Sequence, residues 1–401
     1  MSNTLVITRQ KNCILTATLE NGKVSQFQVE SGEGAGILGN VYVGKVRNIV
    51  KNLGAAFVEF GPDMMGYLSL SESMIPKHTQ GRVQDESRVL VGDEIIVQVS
   101  REAQKKKPPA LTGKVNFPGK YLAIVYGESG LGISRKIKGQ EKREELREVL
   151  DGYATEEYSI VARTNSANAS PEEICQEMER LLKHYHDTFR AGMHRSPHAC
   201  LYRAPEGYLS SITDAYEADL EEVITDSKTL YKRIVSYVGE NGWQDRIPVT
   251  LWEGERGKLR CVYNIDRELD HALSQKVWLK SGGYLVIQPT EALVVIDVNS
   301  GKAIDKKMDV QKNFLHINKE AALEIAHQIR LRNLSGMILV DFIDMRGEEC
   351  KKELLDYLSK ELDKDRIPTK LVDMTPLGLV EITRKKVRKP LYEQMRAERV
   401  L

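Results

Sequence analysis

Two apolar runs that each end in an aspartate constrain this chain more than any other feature. One is Leu293-Val294-Val295-Ile296-Asp297, followed by Val298, Asn299 and Ser300. The other is Met337-Ile338-Leu339-Val340-Asp341, followed by Phe342, Ile343 and Asp344. Between them, the segment from Asn318 to Arg332 places Ala321, Ala322, Ile325, Ala326 and Ile329 at helical spacing. Strand, helix and strand in this order predict a right-handed crossover joining parallel strands. Asp297 and Asp341 then emerge at one edge of the sheet, where open α/β sheets bind ligands. Two ionised carboxylates held close together repel, and a hard divalent cation relieves the repulsion. Magnesium suits such a pair, because it keeps several waters and accepts phosphate oxygens. The amide oxygen of Asn299 can complete the site. From spacing alone the alternative stays open that these acids end their strands in solvent.

The chain has 401 residues, enough for several domains. With 41% hydrophobic and 29% charged residues it suits a soluble globular protein with a sizeable core. It contains no apolar run long enough to span a membrane, and the opening MSNTLVITRQKNC lacks a signal-peptide core, so a cytoplasmic location is expected. Cys13, Cys175, Cys200, Cys261 and Cys350 are scattered without a Cys-x-x-Cys pair, which argues against a disulfide framework or a cysteine-rich zinc site. The net charge of +1 means that a nucleic-acid binder must segregate its basic groups onto one surface. Two local clusters are candidates: Lys105, Lys106 and Lys107, and Arg384, Lys385, Lys386, Arg388 and Lys389. Each alone is more often a solvated face than a binding site.

Residues 4–29 alternate as a hairpin, with Glu20-Asn21-Gly22 supplying the turn and VSQFQVE following. Gly34, Gly36 and Gly39 spell G-x-G-x-x-G, but they feed the β-like run NVYVGKVRNIV rather than a helix, so a linker is the better reading. Residues 38–112 hold short alternating runs (NVYVGKV, AAFVEFG, MGYLSL, EIIVQVS) broken by Gly and Pro, with the polar excursion GRVQDESRVLVGDE between strands. Five short strands in that span predict a small barrel of the OB type. Further on, YLAIVYG and YSIVART read as strands. QEKREELREVL reads as a helix, and PEEICQEMERLLKHYHDTFRAGM as another, with Ser170 as its N-cap. AYEADLEEVITD is expected to be helical and RIVSYVG to be a strand. NSGK at 299–302 lacks the leading glycine of a P-loop, and no Gly-x-Ser-x-Gly elbow occurs. His184, His186, His194 and His198, beside Cys200, are too loosely spaced for an expected zinc site.

Several runs resemble the RNase E/RNase G family. TEALVVIDVNSG (290–301), EIAHQIRLRNLSGMILVDFIDM (324–345) and TPLGLVEITRKKVRKPL (375–391) look like its catalytic-core signatures. AAFVEFG with GYLSL resembles its RNA-binding barrel, and ISRKI (133–137) with VART (161–164) its 5′-end sensor. The resemblance covers nearly the whole chain in the right order. It implies a multidomain α+β and α/β architecture: an RNase H-like subdomain (1–36 plus 206–272), an inserted OB-fold barrel (37–112) and 5′-sensor region (113–205), a DNase I-like catalytic subdomain (273–389) and a tail (390–401). By motif, it implies that Asp297 and Asp341 are Mg2+ ligands and catalytic with Asn299, and that Asp344 is a further candidate ligand. Phe57, Tyr67 and Lys107 match the RNA contacts, although burial of both rings in the barrel core is the rival reading. Arg163, Thr164, Gly119 and Ala123 match a pocket for a 5′-monophosphate. Tyr67 stands where Phe is usual, and Ala123 where Val is usual; stacking survives the first exchange. The residues Lys280 and Gln288-Pro289 also depart from the family without touching its catalytic set.

The expected activity is magnesium-dependent endonucleolytic cleavage of single-stranded RNA to 5′-phosphate and 3′-hydroxyl ends, in RNA processing and mRNA decay. The alternatives are a non-catalytic RNA-binding protein that keeps the barrel, and a metal nuclease acting on DNA. No cysteine follows Cys350, so a zinc-linked dimer and a long scaffold tail are not expected, while a homodimer of another kind stays open.

Overall fold

The computed structural model describes residues 3–10, 12–32, 36–71, 75–76, 89–103, 107–215, 220–255, 258–301 and 310–397. Gly34, Lys105, Lys106, Lys302 and most of the 81–94 excursion lie outside the described residues. The chain forms two compact units. The first comprises Met1–Gly32, Ile224–Tyr231 and Thr250–Leu401, and the second Glu33–Val223 and Lys232–Val249.

The first unit is built on two sheets. Its six-stranded sheet runs in the order Lys276–Trp278, Tyr284–Pro289, Val294–Asn299, Gly336–Asp341, Leu379–Arg384, Thr369–Met374. The central pair, Val294–Asn299 and Gly336–Asp341, is parallel, and every other neighbouring pair is antiparallel. The helix Val310–Leu331 makes the expected crossover between the parallel strands. Period-two alternation sends Leu285, Ile287, Ile296, Val298, Ile338, Val340, Val380 and Ile382 into one core with that helix and the helix Glu348–Leu362. On the opposite face Trp278, Gln288, Asp297, Met337, Asp341 and Thr383 are exposed, and Tyr284, Val286, Val295 and Leu339 are half-buried. Helices therefore cover one face of this sheet and leave its carboxylates on the other.

The second sheet of this unit contains Asn3–Gln10, Cys13–Glu20 and Lys23–Ser31 as an antiparallel meander, so the expected hairpin is in fact two. Asn21 (φ 50°) and Gly22 (φ 75°) supply the left-handed pair that a tight turn between twisted strands requires. Phe27, Leu15, Leu19 and Val24 pack with Leu259, Ile265, Leu269, Leu391 and Met395.

Two expectations need correction. Leu220–Thr225 is a strand and Lys228–Glu240 a helix, the reverse of the reading for AYEADLEEVITD and RIVSYVG. The apolar residues Leu230, Ile234, Tyr237 and Val238 recur at helical spacing once the window starts at Lys228. Arg384 is also no member of a surface basic cluster. Its guanidinium is buried, pairs with Asp365 at 2.7 Å and donates to Asn333 Oδ1 at 2.6 Å.

The second unit carries the barrel. Val41–Val50 pairs with Ala55–Gly61, which pairs with Met64–Ser69, then Ala110–Thr112, then Glu94–Arg101, which closes on Val41–Val50. Tyr42, Val46, Val58, Phe60, Leu68, Ile95, Val97, Val99 and Leu111 fill it. Such a narrow barrel leaves no room at Gly66, where a Cβ would approach the Leu111 side chain to 2.5 Å. A four-stranded sheet follows, ordered Asn116–Pro118, Leu122–Tyr126, Tyr158–Ala162, Gly130–Ile133. The helices Gln140–Asp151 and Pro171–Gly192 contribute to the core on it, and a full Ser170/Glu173 capping box opens the second of them.

Candidate functional site

The parallel register places Asp297 directly beside Asp341 as Cα partners. Asn299 Nδ2 donates to Asp297 Oδ2 at 2.7 Å, which orients that carboxylate on the exposed face. Burial, and then the charges of Asp297 and Asp344, push the Asp341 carboxyl above its ordinary range. Three like charges thus bear on one another at the strand ends. Among the described residues, no group of three or more His, Cys, Asp or Glu side chains converges as a metal cage. The Asp344 charge bears on Asp341. Two adjacent carboxylates with an amide, all oxygen donors, fit magnesium, which fills its remaining positions with water and phosphate. They do not fit zinc, which favours nitrogen and sulfur. Asp344 also lines an open cleft of about 1130 Å³ with Arg346, Lys351, Lys352 and Asp373.

In the barrel, Phe57 and Tyr67 are Cα partners on neighbouring strands, with ring centroids 6.2 Å apart in an edge-on arrangement. Both are partly exposed, while Val58, Phe60 and Leu68 turn inward. Their burial in the barrel core is thereby excluded: the two rings belong to the outer surface. Asn48 and Ala110 lie in the same cross-strand row, and Lys107 is exposed three residues before Ala110. The four phosphate-pocket candidates gather around one turn. Arg163 donates through Nη1 to the Gly119 carbonyl and through Nη2 to Asp214 Oδ1 at 2.6 Å. The Thr164 and Ser134 hydroxyls are 3.1 Å apart. Ala123 is buried opposite Pro118 and Val161.

Two residues of this pocket escaped the sequence reading. Asp214 is the ionic partner of Arg163, and nothing local in the sequence announces it. Glu177 is 1% exposed and accepts from the backbone N–H groups of Lys120, Tyr121 and Leu122 at 2.9, 2.6 and 2.7 Å. Its signal was present: Ile174, Glu177, Met178 and Leu181 form one buried helix stripe, and an acid on such a stripe needs partners. Gly119 must lack a side chain, because a Cβ there would come within 2.7 Å of the Glu177 carboxylate.

The fold describes a class, namely a closed RNA-binding-type barrel joined to an α/β sheet that bears paired carboxylates. Residues 37–112 match the S1 RNA binding domain, and residues 116–387 match the Ribonuclease E/G family. The chain belongs to that family. It is 30% identical over 382 residues to Ribonuclease G of Salmonella typhimurium (strain SL1344), covering 93% of this chain and 77% of that protein. It is 29% identical to Ribonuclease G of Escherichia coli (strain K12), covering 94% and 78%. It is 31% identical to Ribonuclease E of Nostoc sp. (strain PCC 7120 / SAG 25.82 / UTEX 2576), covering 98% of this chain and 57% of that longer protein. Among the described residues, no helix is long and apolar enough to cross a membrane.

Proposed function

We propose that this chain is a magnesium-dependent endoribonuclease that cleaves single-stranded RNA, leaving 5′-phosphate and 3′-hydroxyl ends, in RNA processing and decay. The observation that carries the reading is the register of Asp297 with Asp341, beside Asn299, on an exposed sheet face. Asp297 and Asp341 would hold the ion, and Asn299 keeps Asp297 oriented. Magnesium, when bound, supplies charge stabilisation at the scissile phosphate and lowers the pKa of a bound water. Water oxygen bonds to phosphorus as the P–O3′ bond breaks, and the 3′ oxygen leaves with a proton. Phe57 and Tyr67 offer ring faces for bases, and Lys107 offers a cation for the backbone. Arg163 and Thr164 would take a 5′-monophosphate, with Gly119 and Ala123 as the wall of that pocket. The six-stranded sheet is the proposed DNase I-like subdomain, and the meander that begins the chain belongs to the RNase H-like one.

The test is a magnesium titration on a fluorogenic single-stranded RNA, with EDTA and a DNA of the same sequence as controls. Cleavage of the RNA alone, dependent on magnesium, is expected. RNA binding without cleavage would favour a non-catalytic RNA-binding protein, and equal cleavage of the DNA would displace the ribonuclease reading. A second result follows from the ion pair at the pocket. Asp214 competes with any phosphate for Arg163, and an exposed pair of this kind is worth up to about 1 kcal/mol. Asp214→Asn should therefore raise the preference for 5′-monophosphate over 5′-hydroxyl RNA by up to about fivefold. An unchanged ratio would mean that Arg163 is not the phosphate ligand.

A further inference from the structure

An aromatic pair stands on the same open sheet face as the carboxylates. Trp278 and Tyr284 are Cα partners on adjacent strands, their ring centroids 5.3 Å apart and inclined at 60°. Trp278 is 64% exposed, although Val277 and Leu279 on either side of it are buried. The Lys276 ammonium sits 4.1 Å from the Trp278 ring centroid and 3.7 Å from that of Tyr284. The cross-strand rows connect these groups to the site. One row runs Trp278, Tyr284, Asn299, and the next runs Lys276, Val286, Asp297, Asp341. Strands lie about 4.8 Å apart, so Tyr284 is one strand step from Asn299 and Trp278 is two.

We propose that Trp278 and Tyr284 form a stacking shelf for a base next to the scissile phosphate, with Lys276 facing the RNA backbone. The inference rests on the reading of Asp297 and Asp341 as the cleavage site. Lys276 lies over the indole, yet most of Trp278 stays exposed, which leaves ring surface for a base with its own π-face. The aromatic pair clasps a cation, so the shelf places positive charge on the same face as Asp297 and Asp341. A polyanion reaching the paired carboxylates along these rows meets a cation at Lys276. Single-stranded RNA, the substrate proposed for the neighbouring acids, is the occupant that uses the charge and both rings.

Alanine in place of a stacking aromatic weakens binding roughly tenfold per base. Trp278→Ala should raise KM for a short single-stranded RNA about tenfold, and Trp278→Phe should restore it to within about threefold. Removing the base beside the cleavage site should cost the parent protein as much and cost Trp278→Ala little more, as expected for one shared contact. A binding readout works without turnover. In EDTA, single-stranded RNA should quench the fluorescence of Trp278, the exposed indole, and Trp278→Phe should abolish that quench. Trp278 points out of the core, so the variants should melt with the parent. KM within twofold of the parent in both Trp278→Ala and Tyr284→Ala overturns the shelf, as does an absent quench. A changed sedimentation coefficient with unchanged KM also overturns it and assigns the face to self-association. A parent that quenches with RNA yet cleaves nothing would instead defeat the nuclease reading and leave the shelf standing.

Discussion

Asp297→Asn should lower single-turnover RNA cleavage by about a thousandfold while leaving RNA affinity within a few-fold of the parent. A bound cation contributes several kcal/mol of transition-state stabilisation, and about 1.4 kcal/mol corresponds to each factor of ten. The substitution keeps the size of the side chain but removes one of the two charges that would hold the ion. Asp341→Asn should behave alike, because the two positions are register partners and neither can replace the other. Asp344→Asn is the informative contrast. It removes a charge that bears on Asp341 from outside the register pair, so a loss of about tenfold is expected. Retained activity in Asp297→Asn, measured at saturating magnesium, would remove the paired carboxylates from the chemistry. Lost affinity for RNA in the same variant would mean that the acids serve binding.

Glu177→Ala should lower stability by about 3–5 kcal/mol, the cost of breaking a buried charged network by deleting one partner. Three backbone N–H groups, at Lys120, Tyr121 and Leu122, would lose their common acceptor inside the core. Burial pushes the Glu177 carboxyl up, and those three donors with Arg180 pull it down. Alanine removes the acceptor but none of the donors. For a unit of this size the expected fall in Tm is roughly 10 °C, read by calorimetry. Glu177→Gln should lose less, because its amide oxygen still accepts, although its NH2 group must face the same donors. The turn held by Glu177 also presents the Gly119 carbonyl to Arg163. Loss of 5′-end preference should therefore accompany the loss of stability. A Tm within about 1 °C of the parent would show that water can replace the carboxylate at the cost of a surface group.

How far the site was legible depended on whether the governing signal was local. The apolar runs LVVID and MILVD and the helical period between them are local patterns, and they mark the crossover and both aspartates. The barrel strands were legible for the same reason. The pair Phe57 and Tyr67 was ambiguous in sequence, because period-two alternation does not say which phase faces the core; Phe60 and Leu68 in the core settled it. The segment 220–240 is ambiguous in sequence because a short apolar window fits either period, and only the longer stretch from Lys228 separates them. The basic run at 384–389 looked uniform, yet Arg384 is buried against Asp365, nineteen residues earlier.

The amino-acid sequence by itself determined the two aspartate-ended strands, the crossover helix, the barrel strands and the identity of the acids, since each follows from side-chain period and chemistry over a few residues. Only the tertiary structure decided which groups touch. It set Asp297 against Asp341, tied Arg163 to Asp214, buried Glu177 beneath the 119–122 turn and brought Trp278 into line with Asn299. Strand register and ion pairing join residues tens of positions apart, and they are chosen by the energy of the packed whole, which no local window contains.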